Sequence, residues 1–304
     1  MNNSHPAEPF SVAVIGGGIG GLCLTIALLR RNIPVKVYEQ APEFKEIGLG
    51  IGLGPNSIAA MQLIDPAIAQ SFKKLATDNA SANIEEHFRT WINFRDGRAN
   101  LPRLVAKVMT CDTNRTGICS ARRAPFLDQL IGMVPKEICF FGKKLINIER
   151  LQNGTTILVF EDGSSAEADV VIGCDGIKSA TRHLLFPGRN LDDFLTFTND
   201  VAYRALLPMR EAEQAISHDL AHNAQMYLFP GGHILTYPVD EHAAVNVIGV
   251  VRKESWEHGS WLLKDVQSEQ VDSDFQAAGV HVKKLIKVRR LSNNADNCAN
   301  VSRP

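Results

Sequence analysis

Residues 11–39 read SVAVIGGGIGGLCLTIALLRRNIPVKVYE, and how this stretch is read decides the fold. It opens with a β-branched run that suits a buried strand. Gly16-x-Gly18-x-x-Gly21 follows, then a helix-length apolar segment, then a second β-rich run that ends at Glu39. Five of the six residues 16–21 are glycine. In a continuous helix each would cost about 1 kcal/mol against alanine. At a strand-to-helix turn they are useful, because a backbone without Cβ atoms can approach a pyrophosphate closely. The helix N-terminus then presents free N–H groups and a partial positive charge to the phosphates. Glu39 lies about 20 residues beyond the glycines. Its carboxylate can accept hydrogen bonds from adenosine ribose hydroxyls and would repel a 2′-phosphate. Strand, turn, helix, strand and acid in this register predict a dinucleotide-binding unit. A competing reading is a membrane helix: residues 12–29 have Thr25 as their one polar side chain and contain Gly16-x-x-x-Gly20. The helix cost of the glycines argues against it.

Composition narrows the class. The 304 residues suit one large domain or two modest ones, and 32 basic against 33 acidic residues give a net charge of −1. That balance offers no electrostatic reason for a nucleic-acid partner. The six cysteines, at 23, 111, 119, 139, 174 and 298, include no C-x-x-C pair, and Cys23 and Cys174 sit in apolar segments. They read as buried thiols of a reducing, cytoplasmic compartment, without disulfides or zinc. The opening MNNSHPAEPF has no basic region, so no secretory signal is expected.

Further along, APEFKEIGLGIGLGPNSIAAMQLI (41–64) alternates Gly48, Gly50, Gly52 and Gly54 with aliphatics. This is either a flexible loop before a helix capped by Asn56 or Ser57, or a side-chain-poor strand lying against a flat ring system. Residues 137–173 are β-rich, with hairpin signals at Asn153-Gly154 and Asp162-Gly163, and predict a meander that returns to the nucleotide-binding sheet. The stretch DVVIGCDGIKSATR (169–182) then supplies a second strand-to-helix turn. Asp175 could accept a ribose or ribityl hydroxyl, and Arg182 could pair with a phosphate or anchor the turn. A plain turn capped by Ser179 is the bland alternative. From Phe194 onward antiparallel strands are expected, with a tight turn at Gly231-Gly232 and a polar one at 240–243. His218-x-x-x-His222 has metal-ligand spacing but lacks a glutamate after the first histidine and shows no third ligand, so a polar helix face without metal is expected.

Three segments, YEQAPEFKEIGLGIGLGPNS (38–57), ARRAPFLDQLIGMVP (121–135) and DVVIGCDGIKSATR, resemble the class A FAD-dependent aromatic monooxygenases, the salicylate-hydroxylase-like group. The resemblance implies an α/β chain: a Rossmann-like FAD-binding domain with a β-meander (1–190) and an antiparallel-sheet substrate domain (191–288), as in para-hydroxybenzoate hydroxylase. In that family NADH or NADPH reduces FAD, and an oxygen atom from O2 passes to an electron-rich aromatic ring. Gly16, Gly18, Gly21, Glu39, Gly50, Gly52, Arg123, Asp175, Gly176, Ser179 and Arg182 would hold the cofactor. Arg204, Tyr227 and Tyr237 would carry the chemistry on a small phenolic or salicylate-like substrate. The likeness runs over residues 10 to 288. The family's later Gly-Asp, Ala-Ala-His motif is absent, and residues 289–304, RRLSNNADNCANVSRP, are polar and unlike it. A C-terminally truncated member with a loosely ordered tail is therefore expected. A nicotinamide-dependent Rossmann dehydrogenase, or a silent fragment that binds a partner through an unfinished sheet edge, are the alternatives.

Overall fold

A computed structural model describes residues 10–44, 50–80, 89–110, 119–189, 197–255, 262–264, 268–288 and 298–301. Gly48 and most of the tail lie outside them. The chain forms two interleaved compact units: Met1–Glu46, Ala60–Ser71 and Ala124–Leu195 make one, and Ile47–Ala59, Phe72–Arg123 and Thr196–Pro304 the other.

In the first unit, Val12–Ile15 pairs in parallel with Val35–Tyr38 on one side and with Val170–Gly173 on the other; Cys139–Phe140 extends the sheet beyond Val35–Tyr38. Strand alternation sorts the side chains. Val12, Val14, Val35 and Val37 pack with Leu24 and Leu28 from the helix Ile19–Leu29. Ala13, Ile15 and Tyr38 pack on the opposite face against Leu145, Leu158 and Phe160 of the antiparallel meander Leu145–Arg150, Thr156–Phe160 and Ser165–Ala168. A sheet buried on both faces reads as a continuous apolar run, as VAVI does. Both hairpin glycines take the left-handed backbone their turns require, Gly154 at φ 90° and Gly163 at φ 81°. The helix has 11 residues, and among the described residues no helix is long and apolar enough to cross a membrane.

The second unit is built on an eight-stranded sheet. Its order is Leu262–Lys264, Cys298–Val301, Asp200–Pro208, Ala244–Arg252, Gly232–Val239, Gln225–Phe229, Arg89–Asp96 and Leu104–Thr110. The pairing of Gln225–Phe229 with Arg89–Asp96 is parallel; the others are antiparallel. The hairpin after Phe229 turns through Pro230-Gly231, with Gly231 at φ 76°, and Gly232 already belongs to the next strand. A Cβ on Gly232 would stand 2.4 Å from the Val250 carbonyl oxygen, so close strand packing is what requires that glycine. The expectation of a loosely ordered tail is corrected for Cys298–Val301. These residues pair with Val201–Arg204, whose backbone donors and acceptors would otherwise form an open edge.

Helices cover one face of this sheet. Met209, Ala212, Ala215 and Ile216 of helix Met209–Ile216, with Phe275, Val282 and Leu285, pack on Tyr203, Leu207, Tyr227, Ile234 and Val247. Gly249 lets Phe275 approach the strand closely, because a Cβ there would be 2.6 Å from its ring. The opposite face holds Ile92, Phe94, Leu206, Met226, Leu235, Tyr237 and Ile248.

Candidate functional site

In the first unit the two glycine turns meet. Gly16 has φ 104°, and a Cβ on it would lie 2.5 Å from the Cys174 carbonyl oxygen and 2.9 Å from Asp175 Cα. A Cβ on Gly21 would be 1.9 Å from the Gly16 carbonyl oxygen. These two glycines are therefore required by the protein's own packing. Gly18 differs: it is the helix N-cap, and among the described residues no side chain caps the helix there and nothing stands within 4 Å of where its Cβ would be. Among those residues the helix N-terminus is left uncapped, as a phosphate-binding turn must be. Glu39 is held at the end of its strand by the N–H groups of Gly17, 2.6 Å, and Ala41, 2.8 Å.

The Asp175 turn is tied to itself. Asp175 accepts from the Ser179 hydroxyl at 2.7 Å, the Thr181 hydroxyl at 2.5 Å and the Thr181 N–H at 2.9 Å. Ser179 in turn caps the helix Ala180–Leu185 through the Arg182 N–H. Burial pushes the Asp175 carboxyl up, but the bonds from Thr181 and Ser179 outweigh it and leave the group below its ordinary value. Arg182 donates to the Ile177 and Gly176 carbonyls at 3.1 and 3.4 Å, so of its two expected roles the described contacts display the anchoring one. Gly176, at φ 78°, supplies the left-handed residue of the turn.

The second unit brings a different set together. The strand Gly50–Leu53 pairs with Cys119–Arg122. Gly50 donates to Asn246 Oδ1 at 3.1 Å, and a Cβ on it would be 2.9 Å from Asn246 and 3.0 Å from the Tyr237 ring. The alternating glycines thus form a strand, with Gly50 fitted over protein side chains; Gly52 is exposed on the same strand. Arg204 pairs with Ile248, and Asn246 with both Leu206 and Tyr237, which sets these side chains side by side on the face away from the helices. Burial raises the Tyr237 hydroxyl to about 12 despite the Arg204 charge. Burial first and Arg204 second push Arg123 down, so two guanidinium groups act on one another here. Arg204 Nε and Asn246 Nδ2 are buried and have no hydrogen-bond partner among the described residues.

Tyr227 is a correction. It lies one strand from Tyr237 but points to the helix-covered face, wholly buried among Ile234, Phe229 and Phe275. Strand alternation separates it from Arg204 and Tyr237, so it belongs to the core. Asn246 was not singled out from the sequence. The signal for it is one amide within the apolar run AVNVIGVV, since a buried polar side chain in a strand is rare without a partner.

Fold and site together define a dinucleotide-binding α/β protein with an antiparallel sheet that carries a polar cluster in an apolar setting. No family model matches the chain. It is 40% identical over 282 residues to the 6-methylsalicylate 1-monooxygenase of Aspergillus terreus, covering 91% of this chain and 62% of that protein. It is 36% identical over 249 residues to a salicylate hydroxylase of Sarocladium schorii, covering 81% and 52%. A solved salicylate hydroxylase substrate complex superposes with a TM-score of 0.74 at 28% identity, covering 96% of this chain and 67% of that one. Over about nine-tenths of its length the chain is similar to FAD-dependent monooxygenases, and it spans about three-fifths of the length of the first of those relatives.

Proposed function

We propose that this chain forms the FAD- and substrate-binding portion of a monooxygenase that hydroxylates a small phenolic or salicylate-like ring, with NADH or NADPH and O2 as co-substrates. The observation that carries the reading is the cluster of Arg204, Asn246 and Tyr237, with two orphaned buried donors set among Leu206, Leu235 and Ile248. An aromatic acid or phenolate supplies the acceptors those donors lack and a ring for the apolar lining.

The first unit fits a dinucleotide, because the Gly18 end of its helix is open and uncapped. The N–H groups after Gly18 would take the pyrophosphate, and Glu39 the adenosine ribose. Gly16, Gly21, Asp175, Gly176, Ser179 and Arg182 shape the turns that keep that end open. Gly50, Gly52 and Arg123 complete the proposed cofactor set. FAD, when bound, supplies the electrons and the activated oxygen. The chain's own residues bind and orient the ring. The Arg204 charge favours an ionised phenol or carboxylate beside it. Tyr237 stays protonated at neutral pH and donates a hydrogen bond. The aliphatic face excludes water. Functionally, residues 1–190 serve the cofactor and 191–288 the substrate. A reducing, cytoplasmic compartment is part of the proposal, with Cys23, Cys139 and Cys174 as free thiols.

The test has two stages. Purified protein mixed with FAD and passed over a desalting column should retain a flavin absorption band, and salicylate should perturb that band in the wild type. Arg204→Gln should keep the flavin and lose the salicylate response. Failure to retain flavin rejects the cofactor reading; an unchanged salicylate response in Arg204→Gln rejects the assignment of the substrate face.

A further inference from the structure

The sequence offers His218 and His222 at ligand spacing without a third partner. The structure supplies one from the preceding helix. Glu213 Oε1 lies 2.7 Å from His218 Nδ1 and 2.8 Å from His222 Nε2, and one ligand atom from each of the three residues falls within 4.8 Å of the others. The link between the helices is Ser217 at φ 92°, ψ 159°, a conformation nearly confined to glycine, and it folds the histidine turn back onto Glu213.

On its other side His222 meets a second histidine: its Nδ1 faces His242 Nδ1 at 3.0 Å, and the two rings stack with centroids 5.0 Å apart. That contact fixes the ring with Nε2 turned toward the Glu213 carboxylate, as an outer partner fixes a metal-ligating imidazole.

We propose that Glu213, His218 and His222 bind a divalent transition-metal ion of the zinc class, with His242 orienting His222. Two imidazoles and one carboxylate suit zinc, cobalt or nickel and disfavour calcium or magnesium, which take oxygen ligands. The open side next to the exposed His218 leaves room for water as a fourth ligand. The ion would fasten the helix Met209–Ile216 to the turn at His242. The site is independent of the flavin reading.

Cobalt(II) is the probe, titrated into the metal-free chain. One equivalent should bind with visible d–d bands and no thiolate charge-transfer band, and zinc should displace it. Glu213→Gln and His218→Asn, both at partly or largely exposed positions, should each weaken binding at least tenfold; His242→Gln should weaken it about 10- to 100-fold. His183→Asn, on a helix of the other unit, should change nothing. Zinc should raise Tm in the wild type and not in Glu213→Gln. Absence of a one-equivalent cobalt spectrum, a spectrum dominated by thiolate, or affinity that survives both Glu213→Gln and His218→Asn would each overturn the site.

Discussion

Gly18 and Gly21 belong to one motif and stand in opposite surroundings, so their substitutions should separate folding from binding. Gly18→Ala places its methyl in open space at an ordinary φ of −71°. It should cost under about 1 kcal/mol of stability, as alanine for glycine at an N-cap does, yet weaken FAD retention where backbone meets phosphate. Gly21→Ala drives a Cβ to 1.9 Å from a backbone oxygen and should cost about 1–3 kcal/mol or more. Urea unfolding of both variants, with and without FAD, checks the pair; equal stability losses would contradict it. Tyr237 gives a second expectation. Its pKa rises from 10.0 in the unfolded reference to about 12 in the fold. The folded state therefore favours the neutral phenol, and this contribution is whole below pH 10 and is lost as pH climbs toward 12. Two units correspond to roughly 3 kcal/mol. Tyr237→Phe should flatten that part of the alkaline stability curve, measured by urea midpoints across the same range.

At the scale of elements, the Asp175–Arg182 turn shows how a short helix is held. Ser179 caps it, Asp175 collects the Ser179 and Thr181 hydroxyls, and Arg182 closes over the Gly176 and Ile177 carbonyls. Asp175→Asn keeps the shape but replaces one acceptor oxygen with a donor, and should cost about 1–3 kcal/mol at pH 7. Because the native carboxyl sits below its unfolded value of 3.8, its contribution is present above that pH and lost as pH falls through the folded value. The variant should accordingly lose the part of acid destabilisation that begins near pH 4 in the wild type, read from urea midpoints at stepped pH. Wild-type and variant acid limbs of equal slope would contradict the coupling. The strand–turn–helix–strand opening was legible because its signals are local: β-branched runs, glycines at fixed offsets and an apolar helix length. The parallel strand Arg89–Asp96 in the second unit's sheet was not read, since its partner Gln225–Phe229 lies far along the chain and no local pattern names it.

For the whole molecule, charge balance sets behaviour in solution. With 32 basic and 33 acidic residues and a pI near 6.8, self-repulsion is least close to neutrality. Solubility at low salt should pass through its minimum near that pH and recover by about two units above it, as turbidity against pH would record. A minimum displaced well away from the pI would mean that the surface charge is not the mixture the sequence implies. The two units are interleaved along the chain: Arg89–Asp96 pairs with Gln225–Phe229 and Gly50 bonds Asn246, so early segments of the chain join the later sheet.

By itself the sequence determined the dinucleotide turn, the second turn at Asp175, the antiparallel character of the later strands and the kinship with flavin monooxygenases, all of which are written in spacings a few residues long. Tertiary structure alone decided which tyrosine faces Arg204, what Gly50 makes room for, that Asn246 holds an orphaned donor, and that Glu213 completes the histidine pair. Those outcomes rest on which side of a strand a residue falls and on which distant segment packs against it. Strand parity can be counted along a sequence, but the face that receives the covering helices is fixed only when the chain closes on itself.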